Sequence, residues 1–390
     1  MTGTDDTISD PFVPSALAPD RHAPEPLPPG ATIGILGAGQ LGRMLAEAAA
    51  SLGFRVHTYA PEADPPAARV ADRHTNAAYE DEAALTAFAE GIDVATYEFE
   101  NIPPLTVRRL GQHVPVRPDD TVLAVSQDRL AEKTFLRELG IPTAPFAPVA
   151  RVSDGANAVA SVGGEGIMKA RRFGYDGKGQ ARLRPGDDPG VAFEACGGDP
   201  AILEGFVRFE AELSQVAARD VMGEMAFFEP SRNVHEDGIL RRSIVPAGLP
   251  RGVLDRARDL TAHVLDTLDY VGVLAVEFFY GQEIGLVANE MAPRVHNSGH
   301  WTREACVTSQ FEQHVRAVAG WPLGDVTRNL DAEMENLIGA EAEGWLAYAG
   351  EPRTRLTLYG KREARPGRKM GHVVRVKARK PWSAASAFED

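Results

Sequence analysis

The run Val273-Leu-Ala-Val-Glu277-Phe-Phe-Tyr-Gly281-Gln-Glu-Ile-Gly285-Leu-Val-Ala-Asn289-Glu290 sets two β-prone apolar stretches on either side of a short segment bounded by glycines. Branched and aromatic residues favour the pleated surface and glycine marks the turn, so the run predicts an antiparallel hairpin. With the turn centred between Glu283 and Ile284, Glu277 and Glu290 fall opposite each other, side chains on one face, among apolar neighbours. Two like charges opposed on a ladder repel, and desolvation deepens the cost. A cation between them removes both penalties. An all-oxygen donor set favours magnesium, with manganese also possible. The competing account is a solvated sheet surface on which two glutamates happen to meet.

The chain continues Met291-Ala-Pro-Arg294-Val-His296-Asn297-Ser298-Gly299-His300-Trp301. An isolated histidine is most often structural. Here a guanidinium, an imidazole, an amide and a hydroxyl follow a carboxylate pair within a few residues, which makes Arg294, His296 and Asn297 candidates for holding an anionic substrate beside a metal.

Working outward, Thr32-Ile-Gly-Ile-Leu36 reads as a strand, Gly37-Ala-Gly39-Gln40-Leu41-Gly42 as a tight turn and Arg43 to Leu52 as a helix. Phe54 to Tyr59, Glu82 to Glu90 and Val94 to Phe99 continue a strand, helix, strand alternation, which predicts a parallel sheet. Asp128 to Leu139 reads as a helix closed by Gly140 and Pro142, followed by short β-rich runs with many glycines. Strand candidates at Glu212 to Ala218 and Met225 to Glu229, a helix at Leu254 to Leu268 and another at Thr308 to Ala319 describe an α+β body. The expected division is a disordered Pro-rich leader (1–29), an α/β domain (30–127), a small lid (128–208) and a C-terminal α+β body (209–390). The body ends in a hairpin of Thr357 to Lys361 with His372 to Val376.

Glycines between a strand and a helix allow close approach of a phosphate to the helix N-terminus, so Gln40 and Leu41 are candidate substrate contacts. A dinucleotide site needs an acidic residue at the end of the second strand. That strand ends His57-Thr58-Tyr59-Ala60, and the first acid, Glu62, lies beyond Pro61. A phosphate or phosphoribosyl site, a nicotinamide site and a purely structural turn all remain open for this loop.

Composition narrows the classes. A formal charge of -14 in 390 residues disfavours nucleic-acid backbones as partners. No apolar run approaches the roughly 20 residues of a membrane span. Cys196 and Cys306 lack neighbours at metal-ligand spacing and suit a reducing cytoplasm.

Ile167-Met-Lys169-Ala-Arg171-Arg-Phe-Gly174-Tyr175-Asp176-Gly177-Lys178-Gly179-Gln180 reads as a strand entering a basic Gly-rich loop suited to nucleotide phosphates. Together with Glu204-Gly205-Phe206-Val207, Glu212 and Asn289-Glu290, it resembles the ATP-grasp enzymes, which clamp ATP between two antiparallel sheets. Tyr97-Glu98-Phe-Glu-Asn-Ile-Pro103, His235-Glu-Asp-Gly-Ile-Leu240 and the His296 to Trp301 run are most similar to the N5-carboxyaminoimidazole ribonucleotide synthetases of that superfamily. The resemblance spans about Thr32 to Val374.

It implies an ATP-dependent ligase of purine biosynthesis, taking ATP, bicarbonate and 5-aminoimidazole ribonucleotide and assembling as a homodimer. ATP contacts are implied for Arg129, Lys169, the loop Gly174 to Gln180, the segment Glu204 to Val207, Glu212, His235, Asn289 and Glu290; magnesium is implied at Glu277 and Glu290. Asp176 is placed near the ribonucleotide amine, with Glu98 among the substrate contacts. Lys361 and Arg368, from the basic Tyr359 to Lys369 loop, are placed on the ribonucleotide phosphate. Val295 stands where the family has proline. A formate-dependent glycinamide ribonucleotide transformylase of the same fold is a close alternative, and a nicotinamide oxidoreductase a distant one.

Overall fold

The computed structural model describes residues 25–174 and 179–379. The N-terminal part is a four-stranded parallel sheet of β1 (Thr32–Leu36), β2 (Arg55–Ala60), β3 (Arg73–Asn76) and β4 (Val94–Tyr97), in the order β3-β2-β1-β4. β1 and β4 are almost wholly buried, as expected of parallel strands covered on both faces. Helices α1 (Gln40–Ser51), α2 (Glu82–Ala89), α3 (Pro104–Leu110) and α4 (Asp120–Ser126) accompany it. β3 is an edge strand of sequence Arg-His-Thr-Asn, with no apolar alternation to betray it. α1 starts three residues earlier than the sequence predicts.

Helix α5 (Arg129–Glu138) follows, capped by Asp128, whose Oδ1 accepts from Leu130 N at 3.0 Å. A separate four-stranded antiparallel sheet, the lid, contains β5 (Phe146–Val149), β6 (Gly166–Ala170), β7 (Gln180–Leu183) and β8 (Ala201–Gly205), ordered β5-β8-β6-β7, with α6 (Gly155–Ser161) and α7 (Pro189–Ala195). Val149, Met168, Phe193 and Leu203 give it its own small core.

The body is a nine-stranded antiparallel sheet. Its strands are β9 (Ala211–Arg219), β10 (Met225–Phe227), β11 (Ser231–Glu236), β12 (Ile239–Val245), β13 (Gly272–Gly281), β14 (Gly285–Ala292), β15 (Leu330–Ile338), β16 (Thr354–Leu358) and β17 (Lys369–Ala378). They run β14-β13-β9-β11-β12-β15-β17-β16, with β10 beside β9. Helices α8 (Arg251–Thr267), α9 (Thr302–Ala305), α10 (Gln310–Val318) and α11 (Trp345–Gly350) complete it.

One face of this sheet shares a core with the N-terminal domain: Leu41, Met44 and Leu45 of α1 pack with Phe311 and Val315 of α10 and with Val273 and Ala275. The other face packs Leu136 of α5 with Leu260 and Val264 of α8. The expected leader needs correcting at its end. Leu27 packs against the shared core, its N–H donates to Ala319 O at 2.9 Å, and its carbonyl accepts from Trp321 Nε1 at 2.7 Å. Residues 1–24 lie outside the described part. No described helix is long and apolar enough to cross a membrane.

Candidate active site

The β13–β14 hairpin pairs Glu277 with Glu290, by a different route from the one predicted. Gly281 pairs with Gly285, so the turn centres on Glu283, half a residue earlier than expected. The register then shifts between Glu277 and Phe278, leaving Asn289 as the extra residue of a β-bulge, and the shift restores the opposition of the two glutamates. Their neighbours are polar, where the sequence suggested an apolar surface. Ser214 of β9 lies across from Glu277 and donates to its Oε1 at 3.5 Å, and Asn233 of β11 donates to Ser214 Oγ at 2.6 Å. A polar row thus crosses four adjacent strands and ends on the carboxylates.

The pair is electrically asymmetric. Burial, then the charge of Glu290, pushes the Glu277 carboxyl up from its ordinary range. Burial also opposes ionisation of Glu290, but Arg129 Nη1, 2.8 Å from Glu290 Oε2, prevails and holds it low. The protein's own groups therefore favour ionisation of Glu290 and oppose that of Glu277, and a divalent cation would favour ionisation of both. Asn289, the bulge residue, has its side-chain oxygen buried with no hydrogen-bond partner among the described residues. Two carboxylates and an amide oxygen fit magnesium, which takes its remaining ligands from water and nucleotide phosphate rather than from a protein cage. Among the described residues no cluster of three or more His, Cys, Asp or Glu suited to a metal occurs.

His296 Nε2 lies 3.4 Å from Glu277 Oε1, and its Nδ1 is 2.8 Å from Ser298 Oγ. Burial, reinforced by Arg294, lowers its pKa to about 3, so the ring is neutral. Arg294 forms a two-pronged pair with Glu100, one arm at 3.1 Å. Asn297 exchanges amide hydrogen bonds of 3.0 and 2.7 Å with Asn336 of β15.

The nucleotide candidates gather where lid meets body. Lys169, Glu204, Gly205, Phe206 and Val207 line a cavity of about 60 Å³ with Phe209 and Phe279. Lys169 Nζ sits 3.1 Å from Glu204 Oε2. Gln180 pairs with Lys169 in the lid sheet, and Arg129 Nη2 reaches Gly174 O at 3.4 Å. Glu212 faces Phe279 across β9 and β13 and is hydrogen-bonded to His235 Nδ1. Burial works against the charge on His235, but this contact together with the charges of Glu277 and Glu212 outweighs it and raises the pKa. Gly179 O accepts from Ala170 N at 2.7 Å. Tyr175, Asp176, Gly177 and Lys178 lie outside the described residues. A larger cavity, about 240 Å³, lies at the N-terminal ends of β1 and β2, opposite the glycine loop.

The glycine loop is filled from within. Gly39 N and Gly42 N both donate to the buried Glu98 carboxylate, which follows β4. A Cβ on Gly37 would fall 2.5 Å from Glu98 Cγ, and one on Gly39 2.7 Å from Glu98 Oε1. These glycines are required by an internal carboxylate, and the amides that a pyrophosphate would use are taken. The side chain of Leu41 is in the core, so only its backbone can meet a ligand. Burial raises the Glu98 pKa, while the charges of Arg294 and Lys361 pull it back, which places the basic C-terminal loop beside this corner. Arg69 Nη1 donates to Gly360 O at 2.8 Å and fixes the loop there. Within it Lys361 Nζ donates to Lys369 O at 2.7 Å, Arg368 Nη1 donates to Glu363 O at 3.2 Å, and Arg365 pairs with Glu363.

Sequence reading missed Glu100, Glu132, Lys133 and Asn336. Glu100 sat in a quoted motif without a role. Glu132 follows Arg129 by three residues on α5 and accepts from Met291 N; burial, then Glu290, raises its pKa to about 8.

Three family models match in succession: the ribonucleotide synthetase preATP-grasp domain over residues 30–127, the ATP-grasp domain over 134–311, and the phosphoribosylaminoimidazole carboxylase C-terminal domain over 332–381. The N5-carboxyaminoimidazole ribonucleotide synthase of Brucella melitensis is 52% identical, covering 90% of this chain and 98% of its own. An N5-carboxyaminoimidazole ribonucleotide synthetase solved as its ADP complex superposes with a TM-score of 0.87 at 39% identity, covering 90% of this chain and 94% of that one. The Aspergillus clavatus N5-carboxyaminoimidazole synthase, solved with ADP and 5-aminoimidazole ribonucleotide, gives 0.84 at 27%, covering 90% and 94%. By sequence and by fold, the chain belongs to the N5-carboxyaminoimidazole ribonucleotide synthase family of ATP-grasp enzymes.

Proposed function

We propose that this protein uses ATP and bicarbonate to carboxylate the exocyclic amine of 5-aminoimidazole ribonucleotide in purine biosynthesis. The observation that carries the reading is the opposed pair Glu277 and Glu290, buttressed by Arg129, with the cleft lined by Lys169, Phe206 and Val207 and the side chains Arg294 and His296 in the same part of the molecule.

Adenine and phosphates are held by Phe206, Val207, Lys169, the Gly174 to Gln180 loop and Arg129. Glu212, His235 and Asn289 complete the nucleotide site. Glu277 and Glu290 hold magnesium, which neutralises charge on the transferring phosphoryl group when bound. A bicarbonate oxygen attacks the γ-phosphorus, the bond to ADP breaks, and carboxyphosphate forms. Arg294, neutral His296 and Asn297 keep this anion in place while water is excluded. Carboxyphosphate releases carbon dioxide and phosphate; the substrate amine adds to the carbon, giving a carbamate with loss of one proton. Asp176 is assigned to the amine, and Gln40, Leu41, Glu98, Lys361 and Arg368 to the ribonucleotide. The free cysteines support a reducing cytoplasm, and family resemblance supports a homodimer.

The test is phosphate release from magnesium ATP with and without bicarbonate and 5-aminoimidazole ribonucleotide. Release that needs both supports the reading. Stimulation by formate with glycinamide ribonucleotide would move the chain to the transformylase reaction.

A further inference from the structure

On a helix, residues three and four apart share a face, so Arg129, Glu132 and Lys133 of α5 point together. Arg129 and Glu132 meet the carboxylate strand, at Glu290 and at Met291 N. Lys133 bridges two parts of the molecule. It is only 1% exposed, its Nζ lies 3.3 Å from Glu204 Oε2 on the lid strand β8, and it donates to Ala288 O on the body strand β14 at 3.3 Å.

Lys169 Nζ approaches the same Glu204 oxygen at 3.1 Å, so two ammonium groups share one carboxylate oxygen. The two lysines are not equivalent. Lys169 lines the nucleotide cavity, whereas Lys133 lies outside its lining and is anchored to the body backbone. A buried charge stripped of its partner is strongly unfavourable. Were Lys169 the sole partner of Glu204, turning it toward a phosphate would leave a buried carboxylate uncompensated.

We infer that Lys133 is a positioning residue for nucleotide binding: it holds the charge of Glu204 in place so that Lys169 is free to leave that carboxylate for the phosphates of the incoming nucleotide. This rests on the ATP site assigned above. It explains why a lysine with no access to ligand is buried beneath the site, and it gives the lid a fixed ionic tie to the body that survives the departure of Lys169.

The experiment is a double-mutant cycle on the full chain, reading magnesium ADP and adenosine binding by calorimetry, with folding checked by circular dichroism. Lys133→Met should weaken ADP binding by about tenfold or more and leave adenosine, which has no phosphate, within about twofold. In a Glu204→Gln background, where there is no charge to hold, the same substitution should cost less than about threefold. Equal loss in both backgrounds, or equal loss for ADP and adenosine, would overturn the inference and leave Lys133 a packing residue. If the methionine variant does not fold, Lys133→Gln carries the same cycle. Wild-type protein that binds neither ligand would instead overturn the ATP site itself, and this inference with it.

Discussion

The glycine loop after β1 and the β13–β14 hairpin are the two most conspicuous motifs in the chain, and they end up with opposite electrostatics. In the loop, open amide donors meet a carboxylate from the same domain: Glu98 accepts from Gly39 and Gly42, and those amides are satisfied internally. In the hairpin, two carboxylates face each other, and among the described residues Arg129 pairs directly with Glu290. A motif that closes on itself is architecture at the amides it uses, whereas one left with surplus like charge and an orphan amide oxygen at Asn289 has capacity for a ligand. The glycine signature alone could not separate these cases, because it specifies room for an acceptor without naming the acceptor.

The sharpest way to break the contrast is to neutralise one carboxylate of the hairpin. Glu290→Gln should lower bicarbonate- and ribonucleotide-dependent phosphate release by roughly a thousandfold, with the melting temperature shifted by only a few degrees. Activity within tenfold of wild type would remove Glu290 from the metal site. On the loop, the effect should appear in stability. Glu98→Ala strands two N–H donors, one buried and one part-buried, at about 1–3 kcal/mol each, for a loss of about 2–6 kcal/mol in urea unfolding. Glu98→Gln keeps one acceptor and should lose about half as much. A stable alanine variant would mean the amides are readily satisfied by water, and the loop would again be a candidate phosphate site.

The hairpin was legible because strand periodicity and flanking glycines are local signals. Its register was reached through two compensating features, a turn half a residue off and a bulge at Asn289, which local sequence does not encode. What fills the glycine loop was illegible for a similar reason: Glu98 stands 59 residues from Gly39 and is brought there by the β1–β4 pairing. β3 was missed because an exposed polar edge strand has no alternation to read. Among the site residues, those in dense motifs were found, while Glu100, Lys133 and Asn336 were missed because their partners lie 194, 155 and 39 residues away. Glu132 was within reach, since its spacing from Arg129 puts both on one helix face.

Glu132 carries the contrast into pH dependence. Its pKa rises from the ordinary 4.5 to about 8 through burial and the charge of Glu290. The native state therefore binds a proton that the unfolded chain releases above about pH 4.5, so this group makes stability fall as pH climbs through that window and level off above about pH 8. Glu132→Gln, which can still accept from Met291 N, should match wild type near pH 4.5 and exceed it by on the order of 1–3 kcal/mol at pH 8. A constant difference across pH would show that Glu132 is ionised in the fold and that Arg129 neutralises more than Glu290 alone.

The smallest effect separates the basic loop from both motifs. Arg365 is exposed and paired with the equally exposed Glu363, a geometry worth little in water, whereas Lys361 lies close enough to pull on Glu98. Arg365→Ala should leave the melting temperature within about 1 °C and the ribonucleotide KM unchanged. Lys361→Ala should raise that KM roughly tenfold to a hundredfold while sparing the ATP KM, since removing one charge-assisted contact costs on the order of 1.5–3 kcal/mol. If both alanines raise the ribonucleotide KM alike, the loop acts through its summed field. If neither does, the phosphate is held elsewhere, and the Glu98 corner is the place to look, because Arg43 of α1 also reaches Tyr359 O there, at 3.5 Å.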